Sequence, residues 1–71
     1  MSTIRNPNGI TIEMPVRATR KAIEDHAAPA YHGVVGEIEV IKEGTARVFW
    51  PALGVTSFWD LYELTPATRK P

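Results

Sequence analysis

The chain has 71 residues, no cysteine, and a formal net charge of zero, Lys plus Arg and Asp plus Glu numbering 8 each. One domain of this size buries only roughly 60% of the surface its unfolded chain exposes, so the 44% of apolar residues, including two each of Trp, Phe and Tyr, must supply an autonomous core. Without cysteine there is neither a disulfide framework nor a Cys-ligated zinc site, and without excess positive charge non-specific coating of nucleic acid is disfavoured.

Residues 1–9 are polar and carry Asn6-Pro7-Asn8-Gly9, a run of turn formers, and are expected to be a flexible lead. Neither there nor elsewhere is there an apolar run that could serve as a signal-peptide core or a membrane span, so a cytoplasmic protein is expected. Over 10–14 the alternation Ile10, Ile12, Met14 against Thr11, Glu13 predicts a short strand that Pro15 ends or confines to an edge. Residues 16–20 resume an extended pattern, with Val16 and Ala18 on one face and Arg17 and Thr19 on the other.

The segment 21–32 is expected to be a long loop with room for one or two helical turns, because Lys21 to Ala28 are good helix formers but Pro29 stops them and no clear cap starts them. From Gly33 the two-residue period is strong. Val34, Gly36, Ile38 and Val40 are set against Val35, Glu37, Glu39 and Ile41, a turn follows at Lys42-Glu43-Gly44, and a second strand runs over 45–50. There Ala46, Val48 and Trp50 share one face and Thr45, Arg47 and Phe49 the other. A third strand is expected over 55–59, then one tight helical turn at Asp60-Leu61-Tyr62, and a closing strand over 63–65. Residues 66–71 read as a flexible tail, so the domain spans 10–65.

This order resembles the SH3-like small β-barrel shared by Tudor and KOW modules, carried by Gly33-Val34-Val35-Gly36-Glu37-Ile38, Ala46-Arg47-Val48-Phe49-Trp50 and Phe58-Trp59-Asp60-Leu61-Tyr62-Glu63-Leu64. The resemblance implies an all-β, five-stranded barrel with one long loop between its first and second main strands. Gly33 and Gly36 are expected to let the bent strand approach its neighbours. In Tudor-like modules aromatic rings at one end of the barrel form a cage for a methylated cation. The chain is also similar to the plasmid-type dihydrofolate reductase barrels, whose tetramers line a pore with a Val-Gln-Ile-Tyr segment. At the matching place it has Val55-Thr56-Ser57-Phe58-Trp59, without the Gln, so those cofactor contacts do not carry over.

Adjacent rings in a strand point to opposite faces, so Phe49-Trp50 and Phe58-Trp59 each send one ring inward and one outward. The expected binding surface is drawn from Tyr31, Phe49, Phe58, Trp59, Arg17 and Arg47, with Arg17 and Arg47 in the outward sets of their strands. Glu24, Asp25, His26 and His32 share a loop but match no metal-ligand spacing, so no metal or other cofactor is expected. Ser2, Ser57 and the threonines lie in no nucleophile or phosphate-loop motif. The expectation is a non-enzymatic binding module acting through protein contacts, self-association among them, with a KOW- or Tudor-like nucleic-acid binder as the alternative.

Overall fold

The computed structural model describes residues 6–67. In chain order they form β1 (Pro15–Ala18), α1 (Arg20–Asp25), a 3-10 turn (Pro29–Tyr31), β2 (Gly36–Lys42), β3 (Thr45–Trp50), β4 (Val55–Asp60), a second 3-10 turn (Leu61–Glu63) and β5 (Leu64–Pro66). All pairings are antiparallel, in one sheet of order β4-β3-β2-β1-β5. There are five strands, the number expected, but β4 and β5 lie at opposite margins and the sheet is not closed. The expected flexible lead and tail fall partly outside the described residues, over 1–5 and 68–71.

The β2–β3 hairpin turns on Glu43 and Gly44, whose φ values of 51° and 81° give the primed twist that matches the flanking strands. A bulge between Ile38 and Val40 shifts the register, so Ile38 faces Val48 whereas Val40 faces Arg47. That extra residue corrects the expected alternation. Ile38 is buried, but Val40 is turned to the outer face and is 42% exposed. Gly36 is where a close approach requires glycine. A Cβ there would sit 2.5 Å from Val48 Cγ1 and 2.8 Å from Trp50 Cε3. Gly33 has a different reason, since nothing lies within 4 Å of its missing Cβ and it supplies a φ of 74° ahead of β2.

The first strand begins at Pro15 instead of ending there. Glu13 has a φ of 67° and the Met14 N–H donates to the Thr11 carbonyl, so residues 11–14 turn and cannot extend. Proline is well placed at a strand's first residue, where its missing N–H removes no ladder bond. Upstream, Asn6 is bonded twice to the Ile10 backbone, and Asn8 Nδ2 donates to the Leu64 carbonyl. These bonds fasten residues 6–10 to the sheet and bury Ile10.

α1 has the cap that sequence reading missed. Thr19, assigned by alternation to a strand face, accepts the Ala22 N–H on Oγ1 at 3.1 Å and starts the helix. Pro29 then opens the first 3-10 turn, a position where proline's fixed φ is an advantage. α1 buries Ala22 and Ile23 against a core that contains Val16, Ile38, Ala46, Val48, Trp50, Trp59, Leu61 and Leu64. Each buried indole contributes about 4–6 kcal/mol before conformational entropy is subtracted. In a domain this small the two tryptophans are decisive.

Candidate binding surface

Strand parity separates the rings as the sequence predicted. Trp50 and Trp59 point inward with 0% and 4% exposure, Phe49 is half-buried on the outer face, and Phe58 is 69% exposed. Trp59 therefore leaves the expected surface set. Its inward position follows from its pairing with Ala46, which is itself buried.

On the inner side Tyr31 from the first 3-10 turn packs edge-on against Trp50 and Trp59, with centroids 5.0 and 5.2 Å away, and the indoles meet each other at 6.0 Å. The rings fill one another's faces, and their polar atoms converge on Ser57. Trp50 Nε1 donates to Ser57 Oγ at 2.9 Å, Trp59 Nε1 donates to it at 2.8 Å, and the Tyr31 hydroxyl lies 3.2 Å away. A hydroxyl oxygen accepts through two lone pairs, which the indoles occupy. The Ser57 proton is then the one shared with Tyr31. Ser57 escaped sequence reading as anything but an unpromising nucleophile. The available signal was its place on the inward row between Val55 and Trp59.

His26, at the end of α1, stacks its ring edge on Trp59 at 5.2 Å and meets Glu63 Oε2 through Nε2 at 2.7 Å. Glu63 Oε1 accepts the Asp60 N–H at 3.0 Å. Glu24 and Asp25 turn away to Arg20 and Lys21. The loop acids and His26 thus go to separate partners, and among the described residues no three His, Cys, Asp or Glu side chains are grouped to hold a metal ion.

The outer face presents a row across three strands, Val40 beside Arg47 and Arg47 beside Phe58. With Lys42 and Thr45 these residues line a shallow depression of about 250 Å³. Arg47 donates from Nε to Glu39 Oε1 at 3.1 Å, so its charge has a partner and its stem lies among apolar neighbours. Phe49 borders a second depression, with Ile12, Pro15 and Glu37. Arg17 is exposed in a third place, a groove lined by Asn8, Thr19, Arg20, His32 and Thr65. Arg17 and Arg47, both assigned to the outward sets of their strands, line separate depressions.

Compared with protein-family models, curated proteins and solved structures, the chain matches none of them.

The surface therefore has to be read from its own chemistry. Phe58 stands in the middle of the margin strand β4, on the outer face, next to an arginine whose charge is already paired and in one row with Val40. Such a ring is suited to apolar contact with another protein. No described helix is long and apolar enough to cross a membrane.

Proposed function

We propose that the chain is a small non-catalytic binding module of the SH3-like barrel type that makes protein contacts through the outer face of β2–β4. The barrel assignment is supported by the strand order, the long connection between β1 and β2, and the 3-10 turn that immediately precedes β5. The observation that carries the binding reading is the 69% exposure of Phe58, in an outer row that also holds exposed Val40. Fully burying a phenylalanine ring against a partner contributes about 1.5–3 kcal/mol, and an aromatic anchor in a well-packed patch is the usual carrier of interface energy. The pairing of Arg47 with Glu39 favours this reading over phosphate binding, which needs uncommitted cations.

Phe58→Ser is the direct test, because the ring is outside the core and the variant should keep the wild-type melting profile. The immobilised wild-type protein is expected to retain a specific protein partner at least tenfold better than Phe58→Ser. Equal retention by both folded proteins would overturn the assignment of this face.

A further inference from the structure

We propose that the free margin of β4 pairs with β4 of a second copy of this chain, antiparallel and about a two-fold axis beside Ser57. This extends the protein-contact reading from the outer face to the adjacent strand edge, names the partner of that edge, and rests on that reading. What it adds comes from backbone hydrogen bonds.

Strand parity fixes which groups of β4 face outward. The Leu61 N–H donates to the Gly44 carbonyl, so the hydrogen-bonded positions of the β3–β4 ladder are the odd ones, Val55, Ser57 and Trp59. The N–H and C=O groups of Thr56, Phe58 and Asp60 then point away from β3. The Asp60 N–H is consumed by Glu63 Oε1. Thr56 and Phe58 have no such partner among the described residues, and both are exposed.

The opposite margin is treated differently. In β5 the Leu64 N–H donates to the Leu61 carbonyl, the Leu64 carbonyl accepts from Asn8 Nδ2, and Pro66 has no N–H. Among the described residues, both Leu64 groups of this edge are taken and Pro66 offers no donor, while the Thr56 and Phe58 groups of the other edge are left open. β4 also lacks the usual edge protections. It carries no lysine, proline or bulge, and its single charge, Asp60, is at its end.

The open groups are self-complementary. Placing Thr56 of one copy opposite Phe58 of the other lets each N–H donate to the facing carbonyl, and the two-fold repeats the exchange. The register centred on Phe58 would set Thr56 against Asp60, whose N–H is already taken, so the Ser57-centred register is selected. It also extends the outer row of Val40, Arg47 and Phe58 into the second copy. A net charge of zero adds no long-range repulsion between copies.

Light scattering across a dilution series, with amide exchange read at individual residues, tests the pairing. The mass should rise from 7.9 kDa toward twice that value as concentration goes from about 10 µM to about 1 mM, a range set by weak association. The Thr56 and Phe58 amides should become protected over the same range. Thr56→Pro deletes an edge N–H that no bond among the described residues uses, so it should fold and weaken association at least tenfold. Phe58→Ser keeps both edge amides and should still show their concentration-dependent protection. A wild-type protein that stays monomeric with fast exchange at both amides overturns the proposal, and so does a folded Thr56→Pro that associates like wild type. Protection appearing only when a foreign chain is added overturns the second copy as occupant. None of those results would alter the effect of Phe58→Ser on a retained partner, so failure of the edge and failure of the outer face are separately visible.

Discussion

Ser57 shows how much one small side chain can hold. Both indole N–H groups of the core end on its oxygen, at 2.9 Å from Trp50 and 2.8 Å from Trp59. In Ser57→Ala these buried donors lose their acceptor, and leaving a buried donor unsatisfied costs about 1–3 kcal/mol each. A loss of about 2–4 kcal/mol in urea unfolding is therefore expected, large for a domain whose whole stability is on the order of 5 kcal/mol. A change below about 0.5 kcal/mol would mean that water replaces the hydroxyl. The sequence placed Trp50 on one face with Ala46 and Val48, because parity decides that, and the structure shows this face to be the buried one. It could not show that Ser57 serves both indoles and Tyr31, because that convergence joins a strand to a turn 26 residues away in sequence.

Among the elements, the hairpins were legible and the first strand was not. β3 occupies the expected residues because its alternation is unbroken and Glu43-Gly44 can adopt the primed turn. The bulge at Glu39 was hidden, since an inserted residue leaves an alternating pattern looking regular while exchanging the faces beyond it. That exchange puts Val40 beside Arg47 and Phe58, so the composition of the candidate surface depended on the least readable detail of β2. Residues 10–14 misled for the opposite reason, their alternation being real but Glu13 turning the chain through positive φ. Glu43 offers a check at this scale. A side chain other than Asn, Asp or Gly at positive φ carries a cost of about 1 kcal/mol, and Asn-Gly is the preferred pair for this turn. Glu43→Asn is expected to raise stability by about 0.5–1 kcal/mol, measured as an increased urea midpoint with unchanged slope.

For the whole molecule, the two margins of the sheet matter more than any single contact. With the Thr56 and Phe58 edge groups of β4 free among the described residues and the Leu64 groups of β5 taken by Asn8 and the Leu61 carbonyl, the proposed pairing would give a copy one adhesive side. An isologous contact uses that side completely in both partners, whereas head-to-tail contacts through two unlike sides would continue into filaments. The measured mass should accordingly level off at two copies, and fibre-specific dye binding should stay at background even at about millimolar concentration. In the proposed pairing the Asn8 amide, a side chain in the turn near the start of the chain, would act as a terminator of growth: by occupying the Leu64 carbonyl it would help to separate a finite pair from an endless ribbon.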